Sequence, residues 1–227
     1  MNEIKIIHED RDIIVCVKPC GVLSQADESG GNNMVSLLEE HVRQQGHTPY
    51  IAVVHRLDAG VGGVMVYAKS KPAAAKLSAM VADKQQFEKC YFAAVCGRPS
   101  EKEGVYRDLL FKDTHLSKSF VVDRVRKGVK EASLEYKTIC YNEEEDLSLV
   151  KIILHTGRTH QIRVQFSSRL TPLSGDKKYG ARDGRTGIGL WSHSLKFLHP
   201  ITRKEMYFSA LPEREVWDFF KESLSEF

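Results

Sequence analysis

His55-Arg56-Leu57-Asp58-Ala59-Gly60-Val61-Gly62-Gly63 stands between two apolar runs, residues 51–54 and 64–68. Short β-rich runs bounded by glycine read as strands, so these nine residues form a loop held rigidly at both ends, a good platform for chemistry. Upstream, 4–8 and 13–18 are two more strand-like runs around a Glu9-Asp10-Arg11-Asp12 turn, suited to an antiparallel pair. The turn Lys18-Pro19-Cys20-Gly21 and a Gly/Asn-rich loop over 29–33 then lead to a helix in which Val35, Leu38 and Val42 recur at helical spacing before Gly46.

Downstream, Ser70-Lys71-Pro72 opens a helix with Leu77 and Val81 turned inward, and 89–96 is a strand. Residues 132–140 and 147–154 form a hairpin, and a helix over 159–168 follows the turn Thr156-Gly157-Arg158. Late strands at 195–197 and 206–209 precede a final helix over 213–224 with Val216, Phe219 and Phe220 facing inward. Segment 101–130 is polar, with eight basic and five acidic residues, and reads as a long irregular loop. Strands interrupted by a few helices without βαβ alternation predict an α+β fold, read as one domain over 1–227.

With 42% hydrophobic and 28% charged residues, 227 residues bury a sizeable core, which argues against disorder. The net charge of +3 says little, but residues 151–190 carry eight basic side chains against two acidic ones. Such a stretch fits a polyanion-binding face as well as a solvated surface. No apolar run approaches the roughly 18 residues of a membrane span, and residues 1–5 enter a strand pattern without a signal-peptide core, so the expected location is cytoplasmic. Five cysteines, none spaced as C-x-x-C, indicate neither a disulfide framework nor a zinc site, and all read as small core residues.

Three clusters carry chemistry-bearing side chains. In the first, Asp58 is open to four readings: nucleophile, general base, metal ligand, or ion-pair partner of Arg56. Its glycines match neither a P-loop nor a dinucleotide fingerprint, and His55, Asp58 and His160 lack a recognised metal-ligand spacing. In the second, Thr156-Gly157-Arg158-Thr159-His160-Gln161-Ile162-Arg163, the predicted helix sets His160 and Arg163 one turn apart, where an arginine fork suits a carboxylate or a phosphate. The third is Tyr91 in its strand, which as a type is most often core packing.

Taken together, these motifs resemble the RluA-like RNA pseudouridine synthases. His55-Arg56-Leu57-Asp58 with Gly63 and Ala68-Lys69 is similar to one family motif, and Gly157-Arg158-Thr159-His160-Gln161-Ile162-Arg163 to a second. Gly175-Asp176 with Tyr179-Gly180, Lys89-x-Tyr91, and Leu195-x-Phe197-x-His199-Pro200 extend the likeness over nearly the whole chain. Two departures stand out: Val61-Gly62 replaces Thr-Ser before the glycine, and Leu190-Trp191-Ser192 replaces Leu-His-Ala. The likeness is expected to be to the catalytic domain alone, without an S4-type RNA-binding domain.

The resemblance implies a mixed, mainly antiparallel sheet with flanking helices and long RNA-gripping loops. It implies cofactor-independent isomerisation of uridine to pseudouridine in a structured tRNA or rRNA, with no metal, by a protein expected to be a monomer. Asp58 would be the nucleophile, Arg163 its ionic partner, and Tyr91 a stacking residue that assists loss of the C5 proton. Arg56 would fill the gap left by a flipped base, with His55 supporting that loop; Arg158, His160, Lys118, Arg124, Arg126 and Lys127, with Lys112, would contact RNA. Two rivals remain: an RNA-binding protein without turnover, and a nucleosidase, which would need a second carboxylate as acid.

Overall fold

The computed structural model describes residues 4–27, 30–83, 86–213 and 215–227. The readings made at residues 1–3, Ser29 and Arg214 lie outside them. The chain builds two compact units, one from residues 1–89 and 192–210, the other from 90–191 and 211–227.

In the first unit, β1 (Lys5–Glu9) pairs antiparallel with β2 (Ile13–Lys18), and β2 with β4 (Gly62–Ala68). The two-residue β3 (Ala52–Val53) joins the end of β4, β10 (Leu190–Leu198) lies beside β4, and β11 (Glu205–Ser209) pairs with β10. Strand β4 is buried along its whole length, as a central strand covered on both faces must be. Its even-numbered side chains Val64, Val66 and Ala68 pack with Ile13, Val15, Leu195 and Phe197 against Ala73, Leu77 and Met80 of helix α2 (Lys71–Ala82). Met65 and Tyr67 face the other way, toward Ser24. Helix α1 (Met34–Gln44) starts where the Asn33 side chain accepts from Ser36 N–H, and α2 is capped by Ser70, with Pro72 in its first turn.

In the second unit the strand order is β5-β9-β8-β6-β7: β5 (Phe87–Cys96, its first three residues in the first unit), β9 (Leu147–Leu154), β8 (Val129–Asn142), β6 (Glu103–Asp113) and β7 (Lys118–Val122). Every pairing there is antiparallel. Helix α3 (Gln161–Ser167) is buried over six of its seven residues, and a 3-10 turn (Glu215–Phe220) running into α4 (Lys221–Leu224) covers Phe92, Leu147 and Leu149. The α+β class and the mainly antiparallel sheets agree with the sequence reading. No helix among the described residues is long and apolar enough to cross a membrane.

Four local readings are corrected. Segment 101–130 is ordered as β6, β7 and the start of β8, because pairing with β8 supplies a register that the polar sequence conceals. Helix α3 begins at Gln161, with His160 outside it in the left-handed region at φ 53°, so His160 and Arg163 do not share a helical face. Phe219 is exposed, with the Arg185 guanidinium 5.3 Å from its ring centre. Cys20 is exposed in its turn, and Cys96 and Cys140 are half-buried, leaving Cys16 and Cys90 in the core.

Candidate active site and nucleic-acid interface

The turn at 55–63 alternates between inward and outward side chains: His55 and Leu57 are buried, Arg56 is exposed and Asp58 is half-buried. Backbone bonds hold both neighbours of Asp58. On one side the Ser24 hydroxyl accepts from Leu57 N–H at 3.0 Å and donates to Leu57 C=O at 2.9 Å. On the other, Ala59 C=O accepts from Gly21 N–H at 2.8 Å and from Lys18 Nζ at 3.1 Å. Val61 N–H donates to Asp58 C=O at 3.0 Å and closes the turn.

Lys18 is fully buried and also donates to the carbonyls of Pro19 and Val22 at 2.9 and 2.6 Å. Burial draws its ammonium down to about 8, while the charges of Cys20 and Asp58 act in the opposite sense. An ammonium surrounded by carbonyl oxygens is a cationic knot that shapes the turn and attracts Asp58. The sequence carried a sign of it: period two along β2 puts Lys18 on the face of Ile14 and Cys16, which points inward. Ser24 gave no such sign, being a polar residue in a segment without periodicity.

His55 accepts from Val66 N–H at Nε2, 3.2 Å, and its ring lies 5.6 Å from that of Phe87. Burial, aided by the charge of Lys89, pushes it down to about 3, so at neutral pH the ring is uncharged. His55 is an internal brace of this loop, 8% exposed. Gly63 follows with φ 123°, and a Cβ there would lie 2.2 Å from the Ser192 carbonyl oxygen. Ser192 itself donates to Val64 C=O at 3.0 Å, so Gly63 and Ser192 lie side by side on the neighbouring strands β4 and β10.

In the second unit, the Arg163 fork grips Asp176 through Nε at 2.6 Å and one terminal nitrogen at 2.9 Å, with both side chains almost fully buried. Tyr179 ties this region together. Its hydroxyl accepts from Ser119 N–H at 2.8 Å and meets His160 Nδ1 at 2.9 Å, while its carbonyl accepts from Ser167 Oγ. Gln161, 3% exposed, accepts from Thr156 Oγ1 and Arg158 N–H and donates to Ser133 C=O and Gln165. The 156–163 segment is thus a satisfied polar network against β8. Tyr91 is buried on β5.

The basic stretch divides once partners are seen. Arg163 pairs with Asp176, Arg169 with Asp108, and Arg185 with Asp183 and Glu145, so three of its eight cations serve the fold. Arg158, Lys177, Lys178 and Arg182 are exposed, Arg158 with its Nε on Glu131 C=O at 2.9 Å. On the β6–β7 hairpin and the link to β8, Lys112, Arg124, Arg126 and Lys127 are exposed, with Arg126 4.8 Å from the Phe111 ring centre. Lys118 is half-buried, 4.9 Å from the Tyr179 ring centre. Exposed cations beside aromatic rings suit phosphate and base contacts.

Residues 12–168 match the model of a family described as RNA pseudouridylate synthase. The chain is 32% identical over 204 residues to the uncharacterized RNA pseudouridine synthase YhcT of Bacillus subtilis, covering 88% of this chain and 66% of that protein. It is 31% identical over 233 residues to the ribosomal large subunit pseudouridine synthase D of Zymomonas mobilis, covering 96% and 72%. The chain therefore spans about two thirds of the length of these curated relatives. In fold it is similar to a solved structure of human RNA pseudouridylate synthase domain containing 4, with a TM-score of 0.77, 23% identity, and 97% and 92% of the two chains covered.

Proposed function

Because this chain belongs to the RNA pseudouridylate synthase family of cofactor-independent isomerases, we propose that it converts uridine to pseudouridine in a structured RNA with Asp58 as nucleophile. The observation that carries this reading is the turn: a half-exposed carboxylate whose two neighbours are locked through their backbones, next to an exposed arginine. A nucleophile gains most from such preorganisation, because misplacement by about 1 Å costs on the order of 100-fold in rate.

In the proposed reaction the N1–C1′ bond breaks, the uracil turns, and C5 bonds to C1′; C5 loses its proton and N1 gains one. Asp58 attacks C1′ or C6. Arg163, whose fork Asp176 orients, is the second charged residue of the proposed machinery. Tyr91 stacks on the flipped uracil and helps to remove the C5 proton. Arg56 enters the gap in the RNA stack, where a planar, permanently charged group both stacks and donates. The exposed cations of the hairpin and of 158–182 track the phosphates.

The proposed setting is a cytoplasmic monomer. The named target of the Zymomonas relative makes large-subunit ribosomal RNA the first substrate to examine, ahead of tRNA. The test is a pseudouridine map of total RNA from the source organism lacking the gene, complemented with wild type or Asp58→Asn. Sites that vanish on deletion and return only with wild type support the reading. Restoration by Asp58→Asn ends it and leaves RNA binding without turnover.

A further inference from the structure

We propose that Ser24 is a positioning residue for the reaction, acting on Asp58 through the two peptide groups of Leu57; this rests on the reading of Asp58 as nucleophile. The N–H of Leu57 belongs to the peptide plane that carries the Cα of Arg56, and its C=O to the plane that carries the Cα of Asp58. One hydroxyl engages both, accepting at 3.0 Å and donating at 2.9 Å. Ser24 thus does for Leu57 what a neighbouring strand does in a ladder, and it sets the direction in which both outward side chains leave the turn.

The bond pair is sheltered, because Ser24 is 4% and Leu57 8% exposed. Water does not substitute for the hydroxyl without opening the core. Ser24 is itself anchored. Its carbonyl accepts from the Tyr67 hydroxyl on β4 at 3.1 Å, and the preceding Leu23 bonds Asn32 C=O and Met34 N–H at the start of α1. The turn is therefore referenced to the sheet and to α1 through one side chain, while Lys18 and Gly21 fix the far neighbour, Ala59.

The test uses the full chain and, as probe, unmodified 23S rRNA and tRNA transcripts labelled with tritium at C5 of uridine, so that tritium release reports loss of the C5 proton. Ser24→Ala is expected to slow single turnover at saturating RNA by about 10- to 100-fold. Its affinity for the same transcripts stays within about twofold, since Ser24 itself does not face the RNA. Ser24→Thr, which keeps the hydroxyl, returns to within about threefold of wild type. A wild-type rate for Ser24→Ala overturns the inference, as does a parallel loss of rate and affinity, or a Ser24→Thr as slow as Ser24→Ala. If circular dichroism shows Ser24→Ala unfolded, Ser24→Cys, close in volume with a weak donor, is judged by the same thresholds. Absence of release by wild type, or undiminished release by Asp58→Asn, defeats the underlying reading. An active wild type, a dead Asp58→Asn and a fast Ser24→Ala defeat this inference alone.

Discussion

The turn at 55–63 and the β6–β7 hairpin both lack an obvious apolar pattern in sequence, yet they are built in opposite ways. In the turn, polar groups point inward to Ser24, Lys18 and Gly21, and two side chains are left facing out. In the hairpin, backbone groups pair with each other and with β8, and cations face solvent on an extended ladder. Chemistry asks for a few atoms fixed to fractions of an ångström, whereas holding a polyanion asks for charge spread over distance.

The strongest way to break this contrast is Asp58→Asn. It is expected to lower single turnover by on the order of 1,000-fold or more while RNA affinity stays near wild type, read by tritium release and filter binding. Next is Asp176→Ala, which removes the buried carboxylate that the Arg163 fork grips. Urea denaturation should register a loss of about 3 to 5 kcal/mol, far above the effect of any exposed arginine. Gly63→Ala combines a left-handed φ with a backbone collision at Ser192, and about 3 kcal/mol of destabilisation is expected in the same assay.

The hairpin answers differently. Neutralising Arg124, Arg126 and Lys127 together should change stability by no more than about 0.5 kcal/mol per site. It should weaken RNA binding and flatten its dependence on log salt by about 0.7 to 0.9 for each phosphate that is no longer neutralised. A turnover defect at saturating RNA in this triple variant would erase the division of labour.

Acid acts on the first unit by a separate route. His55 has a folded value near 3, below its ordinary 6.5, so the unfolded chain binds more protons between those limits and stability falls as pH drops below about 6.5. Glu9 adds to this at lower pH. Burial alone would raise its carboxyl, but hydrogen bonds from Lys69, His41 and Gln45 outweigh it and hold the group at about 2, so its contribution is full above 4.5 and fades toward 2. Urea midpoints measured from pH 7 to pH 3 check both, and His55→Gln should remove the earlier decline.

The sequence displayed what local patterns control. The apolar run at 64–68, the capped helices α1 and α2, and the 132–154 hairpin follow period and punctuation. It hid what distant partners decide. Segment 101–130 has only Tyr106, Leu110 and Ser119 well buried on β6 and β7, too few to write an alternating pattern. His160 leaves the helix because Tyr179, 19 residues away, holds its ring, and Arg163 finds Asp176 across 13 residues. The motif residues Arg56, Asp58 and Arg163 drew notice by type and resemblance alone. Of the buried residues that shape the turn from outside the motif, Lys18 left a trace in the period of β2, and Ser24 left none.

The bond from Leu57 N–H to a buried serine has a consequence for time. This residue lies outside every helix and strand, and loop amides ordinarily exchange with solvent deuterium through small, frequent openings. Here the acceptor lies inside the unit and is tied to β4 and α1. The amide at 57 should therefore exchange as slowly as those of β4, a clock set by cooperative opening of the surrounding structure and not by the flutter of a loop.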